Sequence, residues 1–250
     1  MHRFVMALLP FLVACAGHPG PSSESAAQQL YRDASAMTRA DPAGAVALLQ
    51  SSLAAGYPSP SDVLVSAAWS PILDDPARRP QLFEILKDAA RETSIAMASP
   101  ATPGEPMVLT VRIVGARVEP PLVRAGVVVG IVHVDADGHY QPWKPELDWN
   151  PRHFGFAVTD ESGTAVVRTV RPGYYASEYD APDEPRHVHY NIEQDGRLLR
   201  ASEFFFEDDP RLTRERRREA ADAGIPIATV TRDESGVWRA EVTIPVRGLR

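Results

Sequence analysis

The spacing of hydrophobic residues changes once along the chain, near residue 100. Over residues 25–97, apolar side chains recur at intervals of three and four, which is typical of amphipathic helices. Over residues 107–250 they alternate with polar ones, as they do in strands that bury one face. The stretch ASPATPGEP, residues 98–106, separates the two patterns and has the composition of a linker. The pattern therefore predicts a small helical domain, a linker and a β domain.

The clearest helical unit is DPAGAVALLQSSLAAGY, which begins at Asp41. Asp41 is a suitable N-cap, Pro42 suits the first helical position, and Gly56 can adopt the left-handed conformation that ends many helices. This unit, followed by SAAWSPILDDP and LFEIL, resembles the last units of tetratricopeptide-type helical arrays. The alternative is a small helical bundle that serves as a spacer or as a docking surface for a protein partner.

Short runs rich in β-branched and aromatic residues follow the linker, and turn sequences such as DADG, DESG and RPG interrupt them. The runs are MVLTVRIVGARV, AGVVVGIVHVDADG, FGFAVTDESGTAVVRTVRPG, RHVHYNI, LRASEFFFED and IATVTRDESGVWRAEVTIPV. Such spacing predicts a mainly β fold, an antiparallel β-sandwich or barrel, after the small helical domain. One helix is expected within it, from Asp209 to about Ala223.

The first residues have the features of a secretory signal. A short charged start precedes an apolar run that is too short to span a bilayer, and the run ends in LVAC at Cys15. This ending resembles the lipobox of bacterial lipoproteins, which implies a signal peptide over residues 1–15, a lipidated Cys15 and a flexible tether over residues 16–24. By the same resemblance, Ala16 favours the outer membrane of the cell envelope. A plain secreted protein with a stray thiol is the alternative.

Composition and charge narrow the function classes. Of the 250 residues, 44% are hydrophobic and 24% are charged, which is an ordinary balance for a soluble globular protein. The formal net charge of -7 leaves no basic excess for phosphates, which argues against a nucleic-acid partner. The basic cluster RLTRERRREA alternates with acids and indicates a solvated helix face. Cys15 is the only cysteine, so an intramolecular disulfide is excluded.

The stretch EPRHVHYNI carries the first candidate chemistry. A β-strand directs residues i and i+2 to the same face, so His187 and His189 point together while Val188 points away. Two imidazole nitrogens can therefore converge on one metal ion. Taken alone, such histidines are more often surface imidazoles whose hydrogen bonds are satisfied.

In order along the chain, four segments resemble the landmarks of intradiol ring-cleavage dioxygenases. VVVGIVHVDADGHY and FGFAVTDESGTAVVRTVRPGYY resemble the two segments that carry the family's tyrosine ligands, EPRHVHY resembles its His-x-His strand, and SEFFFEDDP resembles the strand that follows. The resemblance covers most of residues 107 to 240. It implies that one ferric ion, Fe(3+), is held by Tyr140, Tyr175, His187 and His189. His133 and His153 fall on no ligand position and are expected to be ordinary surface or pocket residues.

The donor types suit the metal that the resemblance implies. Ferric iron is a hard cation that prefers anionic oxygen, and two tyrosinates with two neutral imidazoles leave a net charge of about plus one and an open position. A zinc site would more often use cysteine or carboxylate ligands. The implied activity is the opening of a catechol-type ring between its hydroxyls with O2, in which Tyr140 also acts catalytically. No nicotinamide or flavin is expected.

The sequence departs from the family pattern at two catalytic positions. The family has an arginine three residues before its first histidine ligand, where this chain has Glu184, and a glutamine where this chain has Glu203. Two carboxylates would repel the negative charge of a reacting catecholate. Strand alternation directs Arg186 away from the histidines. Three outcomes are therefore open: an enzyme with a different substrate, an iron-binding protein without ring cleavage, and a non-catalytic cell-envelope binding module.

Overall fold

The structure is a computed structural model that describes residues 24–116, 120–140, 151–176 and 181–250. The predicted signal peptide, Cys15 and almost all of the tether lie outside these residues. Among the residues that the structure describes, no helix combines the length and the apolar character needed to cross a membrane. The N-terminal part forms α1 (Ala26–Met37), α2 (Pro42–Ala54), α3 (Asp62–Val65), a 3-10 turn (Ala67–Trp69), α4 (Ser70–Leu73) and α5 (Arg79–Asp88).

Helix α2 confirms the clearest helical prediction, and local chemistry explains its ends. The carboxylate of Asp41 accepts a hydrogen bond from the backbone N–H of Gly44 at 2.9 Å, and Pro42 occupies the first turn. Gly56, just beyond the last turn, has a φ of 90°, which favours glycine. Val46 and Leu49 are buried, so one face of the helix contributes to the core.

The described residues that follow α5 form a sheet of nine strands. A helix, α6 (Arg214–Ala223), lies between the seventh and eighth strands. The strands are β1 (Ser94–Ala96), β2 (Pro106–Gly115), β3 (Val128–His133), β4 (His153–Val158), β5 (Thr164–Val170), β6 (His187–Gln194), β7 (Arg197–Phe206), β8 (Ile227–Arg232) and β9 (Trp238–Val246). Their order across the sheet is β1-β5-β2-β9-β8-β7-β6-β3-β4. The mainly β fold class is confirmed, and each predicted run contains at least one strand.

Three details differ from the sequence-based expectation. The sheet is mixed, because β1 pairs with β5, β2 with β9 and β7 with β8 in parallel. The helical segment ends at Asp88, and Ser94–Ala96 joins the sheet as a strand that buries Ile95. Helix α6 begins at Arg214 because the Thr213 hydroxyl accepts from the Arg216 N–H at 3.2 Å and caps the first turn.

One hydrophobic core lies inside the curved sheet and continues into the helices. Val188, Tyr190 and Ile192 of β6 face this core. The two edge strands meet where the Val158 N–H donates to the carbonyl of Glu92 at 2.9 Å, so the sheet nearly closes on itself. On the outer face, Phe83 of α5 packs on Phe154 and Phe156 of β4, with ring centroids 5.1 and 4.8 Å away. The outer face next to α5 carries the two histidines of β6.

Candidate metal centre

Strands β6 and β7 bring three potential metal donors to one face of the sheet. His189 lies directly opposite Glu203 and His187 opposite Phe205 in this antiparallel pair. Because side chains alternate along a strand, His187 and His189 share the outer face with Glu203. One donor atom from each of the three lies within 4.8 Å of the others. The structure thus places both predicted histidine ligands together.

Two tyrosines from separate turns complete the cluster. The Tyr175 hydroxyl lies 2.8 Å from His187 Nε2 and 3.3 Å from His189 Nε2. The Tyr140 hydroxyl lies 3.1 Å from the Tyr175 hydroxyl. Donors that bind one ion at about 2 Å lie no more than about 4 Å apart, so each of the three contacts of the Tyr175 hydroxyl is short enough for a shared metal ion. All four side chains predicted as ligands therefore meet, although their role as ligands remains a prediction.

The hydrogen bonds and the burial of the histidines also fit a metal ion. The carbonyl oxygen of Pro185 lies 2.9 Å from His187 Nδ1, and a carbonyl can only accept, so Nδ1 donates to it and Nε2 is the nitrogen that faces Tyr175. Burial, and secondarily the neighbouring His187, lowers the pKa of His189 to about 4. His189 is therefore neutral at pH 7, as metal coordination requires.

A close contact between two turns places the tyrosines. The carbonyl of Asp135 accepts from the Gly173 N–H at 2.8 Å, and the carbonyl of Gly138 accepts from the Ala176 N–H at 3.1 Å. A Cβ atom on Gly138 would overlap the carbonyl oxygen of Tyr174, and one on Gly173 would overlap the carbonyl oxygen of Ala136. Both glycines are needed because only a bare backbone lets the turns approach this closely.

Asp209 links the Tyr175 segment to the start of β6, and the sequence analysis did not identify this role. Its carboxylate accepts from the Arg186 N–H at 3.0 Å and from the Tyr174 hydroxyl at 3.2 Å. The Tyr174 ring lies between the guanidinium groups of Arg186 and Arg211, at 3.9 and 3.6 Å from the ring centroid. Arg186 is thereby engaged with Tyr174, in agreement with the expectation that it would not face the histidines.

The two unexpected carboxylates have different surroundings. Glu203 Oε2 lies 4.0 Å from His187 Nε2 and 3.8 Å from His189 Nδ1. Burial raises the pKa of Glu203, His187 opposes this change, and Glu184 adds to it. The Glu184 carboxylate lies 3.9 Å from a guanidinium nitrogen of Arg216. Glu203 therefore belongs to the donor cluster, whereas Glu184 is paired with a helix α6 arginine.

The other two histidines form a pair inside the fold. His133 is only 1% exposed, and its ring nitrogens lie 2.6 Å from the carbonyl of Val134 and 2.8 Å from the hydroxyl of Thr169. Its ring stacks on that of His153 with centroids 5.3 Å apart. His133 was expected at the surface or in a pocket, and the structure buries it instead, because β3 turns its side chain inward. His153 lines a cavity between the helices and the sheet.

A largely apolar cavity of about 400 Å³ adjoins the donor cluster. His189 lies at its edge, and Phe83 of α5 contributes one wall. The residues that line the rest of the cavity include Gly130, Val132, Phe156, Asn191 and Ala201. The absent side chain of Gly130 lets the Phe156 ring lie against β3, since a Cβ there would be 3.1 Å from the ring. The cavity can receive a planar, mostly apolar ligand beside the metal donors.

A dioxygenase family model matches residues 80–243. A comparison with curated proteins gives no match. Among solved structures, the chain is similar to the dioxygenase domain of a dioxygenase carbohydrate-binding protein fusion from Streptomyces sp. SirexAA-E, at 21% identity and a TM-score of 0.45, over 63% of this chain and 88% of that one.

Two further solved structures have comparable similarity. One is an intradiol ring-cleavage dioxygenase from Tetranychus urticae, with 19% identity and a TM-score of 0.45 over 64% of this chain and 88% of that chain. The other is catechol 1,2-dioxygenase from Pseudomonas arvilla C-1, with 19% identity and a TM-score of 0.46 over 64% of this chain and 57% of that chain.

The family match covers more than half of the chain and the whole candidate site. It runs from α5 into β9 and includes Tyr140, Tyr175, His187 and His189. The family resemblance predicted from the sequence motifs is thereby confirmed. The chain belongs to the dioxygenase family.

Proposed function

We propose that the protein is a non-haem ferric dioxygenase of the intradiol type, which opens the ring of a catechol-type aromatic between its hydroxyls with O2. The observation that carries this proposal is the convergence of two phenols and two imidazoles from three places in the chain. Tyr175 is the centre of the cluster, with its hydroxyl 2.8 Å from His187 Nε2 and 3.1 Å from the Tyr140 hydroxyl. Ferric iron is a hard, highly charged cation that prefers anionic oxygen donors, so this donor set suits it.

Some residues of the site would hold the metal, and others would receive the substrate. Tyr140 and Tyr175 provide anionic oxygen, and His187 and His189 provide neutral nitrogen. Ferric iron, when bound, would supply the Lewis acidity that activates an aromatic diol toward O2. The cavity beside His189, with Phe83 as one wall, holds the ring. Tyr140 is the group that would accept a proton from an incoming hydroxyl, because a phenolate released from a metal is a stronger base than the carboxylates nearby.

A non-catalytic binding module on the same fold is the second candidate. The observation that favours it is Glu203, whose carboxylate lies 4.0 Å from His187 Nε2 at the edge of the donor cluster. A negative charge at this place opposes the binding of a doubly deprotonated diol. Metal binding without turnover would then be the function of the site.

Iron loading followed by oxygen uptake tests the proposal. We expect the iron-loaded protein to show a visible tyrosinate-to-ferric charge-transfer band and to consume O2 with at least one member of a panel of substituted catechols. Tyr140→Phe should lower the rate about 100-fold or more, because it removes both a ligand and the proton acceptor. Tyr31→Phe, which removes a hydroxyl in α1 far from the site, should leave the rate unchanged.

Each result separates the candidates. A protein that stays colourless after iron loading contradicts the ferric site as a whole. A coloured protein that consumes no O2 with any catechol identifies the binding module instead. Oxygen uptake that survives in Tyr140→Phe would show that Tyr140 has no role in the reaction.

We further propose that the protein is anchored to the cell envelope, in the outer membrane, through a lipid on Cys15. The support is the ending LVAC of the N-terminal apolar run and the absence of any other cysteine in the sequence. We expect the unmodified sequence to fractionate with membranes and Cys15→Ser to be released into the soluble fraction. A Cys15→Ser protein that still sediments with membranes would contradict lipid anchoring at this residue.

A further inference from the structure

The carboxylate of Glu203 lies close enough to share the metal ion of the two histidines. Its Oε2 atom is 4.0 Å from His187 Nε2, and strand pairing places the residue directly opposite His189. Two donors that each bind an ion at about 2 Å can be up to about 4 Å apart. The observed distance is at this limit, and the same oxygen lies 3.8 Å from His189 Nδ1.

The surroundings of Glu203 favour a cation at this point. Its side chain is 25% exposed, and a largely buried carboxylate is costly unless a positive charge compensates it. Within the part of the chain that the structure describes, the ion pairs of Glu203 are those with His187 and His189. Imidazoles that bind a metal are neutral and cannot compensate it. Glu184, by contrast, has the guanidinium of Arg216 at 3.9 Å.

We propose that Glu203 is a fifth protein donor to the metal, so that the site consists of two phenolates, two imidazoles and one carboxylate. This inference rests on the proposed function and deepens it. Two phenolates on a ferric ion leave a net charge of about plus one, and a bound carboxylate reduces it to zero. The carboxylate also occupies a position that an exogenous ligand would need. Glu203 therefore strengthens iron retention and weakens the binding of catecholates.

The isosteric variant Glu203→Gln removes the charge and keeps the shape. We expect the iron-loaded variant to release iron to a chelator at least about tenfold faster than the unmodified protein. Its charge-transfer band should shift to longer wavelength, because a more electron-poor ferric ion lowers the energy of the transition from tyrosinate. In a titration with 4-nitrocatechol, the variant should bind at least about tenfold more tightly.

Glu193→Gln is the matched control. Glu193 lies beyond the two histidines on β6, the strand that pairs with the β7 strand of Glu203, and outside the donor cluster, so the variant removes an equal charge from the neighbouring strand. The Glu193→Gln variant should match the unmodified protein in iron release, band position and 4-nitrocatechol affinity. If Glu203→Gln does not fold, Glu203→Asp keeps the charge and retracts the carboxylate, and it should shift the same three measurements in the same direction by less.

The outcomes distinguish this inference from the proposed function. If the unmodified protein binds no iron or shows no tyrosinate band, the proposed function fails. If the unmodified protein is iron-loaded and coloured, and Glu203→Gln equals it in all three measurements, Glu203 is not a ligand while the ferric site stands. Equal shifts in Glu203→Gln and Glu193→Gln would mean that the loss of one negative charge, and not the loss of a ligand, causes them. That result would overturn direct coordination.

Discussion

Tyr175→Phe is expected to abolish stable iron binding. The Tyr175 hydroxyl contacts three other donors, at 2.8 Å from His187 Nε2, 3.3 Å from His189 Nε2 and 3.1 Å from the Tyr140 hydroxyl. Removing it takes away an anionic ligand and also the group around which the others are arranged. Outer-shell partners of metal ligands alone are worth about 10- to 100-fold in affinity, so loss of this ligand should exceed 100-fold. Metal analysis after gel filtration should find less than about one tenth of an iron ion per chain.

Tyr174→Phe is the control for this prediction, because it changes the adjacent residue in the same way. The Tyr174 hydroxyl interacts with Asp209 and Arg186, and its ring keeps its position between two guanidinium groups without the hydroxyl. We expect this variant to retain its iron and its visible band. Full iron occupancy in Tyr175→Phe would show that the phenol cluster is not the metal site. Equal loss in both variants would point to disruption of the turn instead of loss of a ligand.

The long strands were predictable from the sequence, because a periodic pattern of apolar residues can be recognised only over several residues. Long runs such as Trp238–Val246 alternate clearly enough to indicate a strand and its buried face. Strand β1, Ser94–Ala96, is three residues long and follows a helix, so no period is visible in it. The parallel pairings depend on contacts between distant parts of the chain, such as β2 with β9, and no local pattern determines them.

The candidate site shows the same division between local and distant information. The shared face of His187 and His189 follows from their spacing alone. The positions of Tyr140 and Tyr175 follow from two turns that touch, and the motif resemblance was needed to join them. Glu203 was expected to repel a substrate, and its place opposite His189 depends on the β6–β7 register, which shifts at Ile192/Glu193. A strand register that includes such a shift depends on tertiary packing, so residue spacing alone does not predict it.

Gly138→Ala is expected to destabilise the protein strongly and to separate the tyrosines. Gly138 has a φ of 89°, a conformation that costs an alanine about 1 kcal/mol or more. Its new Cβ would also overlap the carbonyl oxygen of Tyr174, and a backbone atom has no rotamer by which to move away. Together these effects should lower the free energy of unfolding by about 3 kcal/mol or more. Chemical denaturation of the metal-free protein measures this loss, and iron content measures the displacement of Tyr140 from Tyr175.

Gly126→Ala separates the cost of the backbone conformation from the cost of the contact. Gly126 has a similar φ of 76°, but a Cβ built on it meets no atom within 4 Å. We expect this variant to lose only about 1 kcal/mol of stability and to bind iron normally, because the turns that carry the tyrosines stay in contact. The difference between the two variants is then the free energy of the turn-on-turn approach. If Gly138→Ala is no less stable than Gly126→Ala and binds iron equally well, the approach of the two turns does not position the phenols, and the geometry of the metal centre must be set elsewhere.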